Sequence, residues 1–428
     1  MADQPRPQTG GRPYKGERSH SGKHAHVGVG RARILVSIMV LASLAIIVYN
    51  QAWGGREQTA MPTGTSLTAS ITPAASTAPG TVAAGTTAMS VSPTPTPVIR
   101  ELQLYPPTPI GEPGASQPEM KRWPAAGSVE SVRTVDLAAY RGRSRTDRPL
   151  EGITVVLDPG HGGIDSGCGW PVGVRNQDIM EKDVALSVAK AARTELERMG
   201  ARVLFIRDDD TFYSIFCRPA LVGQMIMENF IQTLKSIGIG TGQAERLILP
   251  LQPIIDTNED TFAGIMGGSG TKLDYKHVMD IERQYPDWLF LSIHCNAAGG
   301  YPDARGLQVY YTSSAVVQHD ERIEAAVKAS SEWQPSYQNY DDGGRLRLAT
   351  LLYGSIVAKV PALGNGTPSP LVDQDFAVLR EQNLASALIE LGFLTNASDR
   401  AALALSDTQT RLGVSIADAV YSYYCSPK

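Results

Sequence analysis

The sequence predicts an α/β domain around a largely parallel sheet with helices between its strands, and three observations carry that expectation. Ile153–Leu157 (ITVVL) is a short apolar run rich in β-branched residues, the pattern of a strand buried on both faces. Glu181–Met199 then repeats apolar residues at helical spacing (Val184, Val188, Ala191, Ala192, Leu196) and stops at Gly200, a residue suited to a helix C-terminus. Further short apolar runs follow at Arg202–Ile206 (RVLFI), Trp288–Ile293 (WLFLSI), Leu307–Tyr311 (LQVYY) and Ser386–Leu391 (SALIEL). Strands separated by helices imply parallel neighbours, and sites in such sheets form at the carboxyl ends of the strands.

Ahead of this domain the composition changes three times. Residues 1–33 form a basic tail, in which Arg6, Arg12, Lys15, Arg18, Lys23, Arg31 and Arg33 face only Asp3 and Glu17. Residues 34–53, ILVSIMVLASLAIIVYNQAW, carry no charge and are just long enough to cross a hydrocarbon core of ~30 Å. Tyr49 and Trp53 fall where an interfacial aromatic belt lies, and the preceding Lys/Arg excess places the tail in the cytoplasm and the rest of the chain outside. The run reads as a signal-anchor, with a cleaved signal peptide as the alternative, and both export residues 54–428. Residues 54–150 make a Thr/Ser/Pro/Ala-rich linker with the text Ser92-Pro93-Thr94-Pro95-Thr96-Pro97, too poor in apolar residues to offset chain entropy. The domain itself spans 151–428. A net charge of −4 over 428 residues gives no reason to expect nucleic acid as a partner. Four cysteines (Cys168, Cys217, Cys295, Cys425) are too few for a disulfide framework in a chain this long.

Four residues stand at strand or helix ends where chemistry belongs. His161 follows the first strand in Asp158-Pro159-Gly160-His161-Gly162-Gly163, where glycines allow a sharp turn. His294 directly follows the WLFLSI strand. Glu181 opens the first helix, and Glu390 sits inside an otherwise apolar strand, where an unpaired carboxylate is costly. Taken singly, each histidine is more often a hydrogen-bonded structural residue, Glu181 reads as a charge favoured by the helix dipole, and Glu390 as an edge residue. Together they offer two imidazoles and two carboxylates. Two histidines and one carboxylate form a known hydrolytic zinc set, and a second carboxylate beside it can shuttle a proton.

VVLDPGHGGIDSG, EKDVAL, IRDDDTF, FLSIHCNA, ARGLQVYY, DFAVLRE and ALIELGFLTN, in that order, resemble the zinc-dependent N-acetylmuramoyl-L-alanine amidases of bacterial cell-wall remodelling, over residues 152 to about 424. The resemblance implies a mostly parallel mixed sheet flanked by helices, with a catalytic zinc at the carboxyl ends of the strands. It puts the zinc ligands on His161, Glu181 and His294 and the catalytic glutamate on Glu390. It also implies peptidoglycan as substrate, cut between the lactyl group of N-acetylmuramic acid and L-alanine. Other readings stay open: an inactive wall-binding or regulatory protein on the same fold, or a zinc peptidase cutting another linkage.

The sequence departs from that family in three ways. Cys168 and Cys295 stand where small residues are usual and read as small apolar fillers. No wall-binding repeat is recognisable. About fifty extra residues, 227–275, separate the Phe212, Ser214, Arg218 segment from the His294 strand. They begin as the continuation of an apolar helical stretch (Val222, Met225, Ile226, Phe230, Leu234, Ile237) that runs wider than one core stripe, so the piece should be contacted on more than one side. Glycines around it suit a lid, or a surface on which an activator protein acts, and a simple thickening of the domain fits equally.

Overall fold

The computed structural model describes residues 99–105, 109–110, 123–124, 128–174, 177–260, 264, 273–328, 340–364 and 366–427. The basic tail, the apolar run 34–53 and residues 54–98 lie outside the described residues. Apart from a small antiparallel pair, Pro109–Ile110 with Trp123–Pro124, and two short 3-10 turns, the elements in chain order are β1 (Arg100–Glu101), β2 (Thr154–Pro159), β3 (Gly169–Trp170), β4 (Ile179–Met180), α1 (Glu181–Arg198) and β5 (Arg202–Phe205). Then come α2 (Cys217–Ser236), β6 (Ile239–Gly240), α3 (Gly242–Ile248), α4 (Gln252–Thr257), α5 (Leu273–Glu282) and β7 (Trp288–Asn296). The rest are β8 (Gln308–Tyr311), α6 (Ser314–Lys328), α7 (Asp342–Lys359), β9 (Leu371–Asp373), α8 (Ala377–Arg380), β10 (Ala385–Phe393), α9 (Ala397–Leu403) and α10 (Ser406–Cys425).

Six strands form the central sheet in the order β9-β8-β10-β7-β2-β5. The pairs β10–β7, β7–β2, β2–β5 and β8–β9 are parallel, and within this sheet only β8–β10 is antiparallel. The sheet is therefore mixed and mostly parallel, as predicted. Its centre is β10, β7 and β2, the three most apolar strands, because a strand covered on both faces must bury both sets of alternating side chains.

One face packs on α1, α7 and α10: Val155, Leu291 and Ile389 of the sheet share a core with Val188, Leu352 and Ile416. The other face carries Val156, Phe290 and Leu388, covered by α2 to α5. The extra segment is built into this second core. Phe230, Leu234, Leu247 and Ile254 are buried there with Val278 and Met279. Helix α2 touches α3, α4 and α5, which accounts for an apolar surface wider than one stripe.

Part of the predicted linker packs here too. Leu102 is fully buried and Val129 nearly so, both in the second core. Strand β1 runs parallel to β6. The Ser128 amide and hydroxyl both donate to Asp280. The Arg133 guanidinium holds both oxygens of Asp287, at 2.9 and 2.8 Å. Tyr140 and Leu150 enter the first core. The domain edge drawn at 150–151 from composition thus falls inside packed structure. Composition averages over a window, whereas this strap is held by a few apolar residues and ion pairs whose partners lie more than a hundred residues away.

Candidate metal centre and active site

The row of strand ends β10, β7 and β2 builds the site. Glu390 of β10 lies directly beside His294 of β7 in parallel register. Pro159, the last residue of β2, pairs with Ile293, so the turn after it delivers His161 to the flank of His294. The imidazoles stand edge to face, with ring centroids 5.0 Å apart. Glu181 arrives from the helix packed on the first face. No side chain caps that helix. Instead the Glu181 and Lys182 amides donate to the carbonyls of Cys168 and Ser166, at 2.8 and 3.3 Å, which fixes where the helix starts.

All four residues singled out in the sequence therefore meet. One nitrogen of each histidine and a Glu181 oxygen lie within 4.8 Å of one another. Glu181 Oε1 is 3.0 Å from His161 Nε2 and 2.9 Å from His294 Nδ1. Ligands on a tetrahedral zinc at ~2.0–2.1 Å stand roughly 3.3–3.5 Å apart, and both Glu181–histidine separations come within about half an ångström of that spacing. The Glu181 carboxylate is oriented by the Cys295 amide on Oε1 (3.0 Å) and the Cys168 amide on Oε2 (2.8 Å).

Close approach makes two glycines obligatory. A Cβ on Gly160 would run into the His294 ring, and one on Gly167 into Glu181 and His161. Gly167 also has φ +63°, and His161 itself sits at φ +61°, an uncommon conformation for a residue with a side chain.

The electrostatics of these groups favour a cation. Burial opposes charge on His161, but Glu181 and Asp165 outweigh it and raise the imidazole to about 10. Burial likewise opposes charge on Glu181, and the two histidines hold it well below the usual carboxylate range. Glu390 is pushed well above that range, first by burial and then by the Glu181 charge. Its Oε2 is buried without a hydrogen-bond partner. Two carboxylates among apolar strands call for positive charge, and the histidine protons are what the chain itself sets against them.

Sequence reasoning misses three contributors. Asp165 Oδ2 accepts from His161 Nδ1 at 2.6 Å, which turns Nε2 toward the site. Arg207 and Arg218, both buried, take up the carbonyls of the turn carrying His161. Asp165 sits inside the GHGGIDSG text, four residues after the histidine, and that spacing is the available signal. Arg218 closes the Phe212, Ser214, Arg218 segment noted in the sequence, which marks the residue but not its grip on this turn, and nothing in the local pattern marks Arg207.

Cys168, Cys217, Cys295 and Cys425 are free thiols. Cys295 shares the first core with Ile293, on the opposite side of the strand from His294. Burial first, then the Glu181 charge, push the Cys168 and Cys295 thiols well above their usual range, so both stay neutral as small fillers do.

The family described as N-acetylmuramoyl-L-alanine amidase matches residues 155–232 and 254–422, more than half of the chain, and the match contains all four site residues. The chain belongs to that family. The activity of this amidase is hydrolysis of the N-acetylmuramoyl–L-alanine bond of peptidoglycan. The family match breaks at 233–253, inside the extra segment 227–275. Among relatives, the amidase is 24% identical to the uncharacterized protein YqiI of Bacillus subtilis over 276 residues, covering 64% of this chain and 87% of that one. It is 42% identical to the probable cell wall amidase LytH of Staphylococcus aureus over 72 residues, 17% of this chain and 24% of LytH. A solved N-acetylmuramoyl-L-alanine amidase from Clostridium difficile 630 is 22% identical, with a TM-score of 0.39 over 63% of this chain and 96% of that one.

Proposed function

We propose that this amidase is zinc-dependent, with His161, Glu181 and His294 holding the ion and Glu390 moving the proton. The carrying observation is the convergence of three donor atoms within 4.8 Å, with a carboxylate in register beside them whose Oε2 is buried and partnerless. Zinc in this set would supply Lewis acidity toward the scissile carbonyl and lower the pKa of water to about 7.

The chain's own residues do the rest. Asp165 holds the His161 tautomer that aims Nε2 into the site. Glu390 takes a proton from the attacking water as oxygen bonds to the amide carbon. It returns that proton to the nitrogen as the C–N bond breaks, leaving a lactyl carboxyl group and the free amine of L-alanine. An amine anion leaves poorly, so this second transfer is needed. A carboxyl whose hold on a proton is strengthened by burial and by the Glu181 charge is suited to taking up a proton and passing it on. Its neighbours along β10, Leu388, Ile389 and Leu391, are apolar and buried, so the strand that carries it is packed into the core.

Metal analysis of the purified protein should find about one zinc per chain. His161→Ala and His294→Ala should lose it. Glu390→Gln should keep zinc and the fold while turnover of peptidoglycan falls about 10²–10⁴-fold. Full zinc in either histidine variant, or wild-type turnover in Glu390→Gln, would sink the assignment.

We also propose an extracytoplasmic location, with residues 34–53 as membrane anchor. Charge asymmetry around that run and its length support the reading. Among the described residues no helix is long and apolar enough to cross a membrane. Protease added to intact protoplasts should release the catalytic domain and leave the basic tail protected. Protection of the domain would refute it.

A further inference from the structure

Arg207 occupies a place that the reaction does not explain. It is buried at the end of β5, and its donors are spent on backbone carbonyls. Nε donates to Pro159 at 2.9 Å and Nη1 to Asp209 at 2.8 Å. Nη2 lies 2.7 Å from the Gly160 carbonyl and 2.7 Å from the Lys182 carbonyl. Gly160 immediately precedes His161, and Lys182 immediately follows Glu181. A single nitrogen thus ties together the two backbone segments that carry these donors. The turn is gripped from its other side by Arg218, which donates to the Pro159 carbonyl at 3.0 Å and the His161 carbonyl at 2.8 Å. Arg218 is itself paired with buried Asp158, which accepts from Ser292 at 2.8 Å. Lys182 takes the Gly163 carbonyl, two residues further along the same turn, at 3.0 Å.

The physical consequence is specific. Burying a guanidinium against carbonyls costs desolvation, which holds the Arg207 pKa below its usual value, with Arg218 adding repulsion. Simple filling of this position would not require a cation. A planar fork with fixed angles can hold two loops at one separation, and a flexible ammonium cannot. The left-handed His161 also needs outside support to keep its conformation.

We propose that Arg207 is a positioning residue that sets the separation of His161 and Glu181, and through it the affinity of the site for zinc. The inference rests on the zinc reading of this site. Outer contacts that orient ligands typically change metal affinity about 10–100-fold when removed. Arg345 provides an internal control. It is equally buried and donates to four carbonyls, those of Thr312, Leu379, Gln382 and Leu384, none of which adjoins a donor residue.

The test is zinc affinity of the full chain by chelator competition, with thermal unfolding of the metal-free protein in parallel, for wild type, Arg207→Lys, Arg207→Gln, Arg345→Lys and His294→Ala. The expected result is zinc binding about 10–100-fold weaker in both Arg207 variants and unchanged within about twofold in Arg345→Lys, even where Arg345→Lys lowers the melting temperature as much. Wild-type zinc affinity in the Arg207 variants, with His294→Ala unable to bind, overturns this proposal and leaves the zinc reading intact. Full zinc in His294→Ala overturns both. If an Arg207 variant is unfolded without metal, zinc is titrated into it: refolding at concentrations that saturate wild type overturns the proposal, and refolding only at far higher concentrations supports it.

Discussion

Leu102→Ala should destabilise the catalytic domain although Leu102 lies in a stretch whose composition reads as linker. Its side chain is fully buried in the second core, alongside Phe230, Leu234 and Leu247 of the extra segment. Truncating a buried leucine removes its transfer free energy and leaves a cavity, about 2–5 kcal/mol together. A domain is typically stable by ~5–15 kcal/mol, so this is a large fraction of the total. At ~2–4 °C per kcal/mol the melting temperature should fall by roughly 4–20 °C. Starting the chain at residue 151 is a harsher form of the same experiment. It strips Leu102 and Val129 from the second core and Tyr140 and Leu150 from the first, and it leaves Asp280 and Asp287 without their strap partners. Gross burial lost is then roughly 6–12 kcal/mol, before the ordering entropy of the strap is set against it. Circular dichroism melts of chains beginning at 99 and at 151, with Leu102→Ala in the longer one, decide the matter. A chain from 151 that melts cooperatively within about 2–3 °C (about 1 kcal/mol) of the longer one would refute the reasoning.

Further expectations concern single side chains. Asp165→Ala removes the acceptor for His161 Nδ1 and should weaken zinc binding about 10–100-fold, measured by chelator competition; unchanged affinity would show that packing alone orients the ring. Glu282 is buried, with one oxygen accepting from the Asn383 amide at 2.6 Å and the other without a hydrogen-bond partner, and burial raises its pKa to about 8. Between its unfolded value near 4.5 and about 8 the folded state binds the extra proton, so its contribution to stability is full below that window and declines as pH rises through it. Glu282→Gln should therefore gain on wild type by up to a few kcal/mol between about pH 5 and pH 8. A stability difference that stays flat with pH would show Glu282 ionised in the fold. Gly167→Ala should abolish zinc binding and activity together, because its Cβ would collide with two donors; a variant with normal metal content would contradict the close approach.

Much of this architecture is legible in the sequence because it is local. The β2 and β7 strands announce themselves as unbroken apolar runs, α1 as a periodic stripe ended by Gly200, and His161, Glu181 and His294 as polar groups at the ends of those elements. Glu390 is visible for the opposite reason, being a charge where the pattern demands an apolar residue. What stays hidden is defined by distant partners. The strap depends on Leu102 meeting residues beyond 220, and no window of sequence contains both. Arg207 looks like a charged residue after a strand, followed by Asp208, Asp209 and Asp210, and its text gives no sign that it is buried. The antiparallel pairing within the central sheet, β8 with β10, also escapes pattern reading, since a strand's direction leaves no mark on its alternation. The extra segment reads as wide and apolar, and it is, but apolar width alone does not distinguish a mobile cover from a second core.

The strap also decides how the molecule would carry mechanical load. If the chain is tethered through its N-terminal side, tension passes through the strap before it reaches the catalytic turn. Among the described residues the resistance it meets first is the β1–β6 pair and the Leu102 socket, followed by the Ser128 and Arg133 anchors. All of these lie on the extra segment, on α5 and on the turn after it. The turn bearing His161 comes later along the chain, behind each of those attachments. Strain in a stretched wall would thus be absorbed at the strap, and the spacing of the donor atoms would be isolated from the pull.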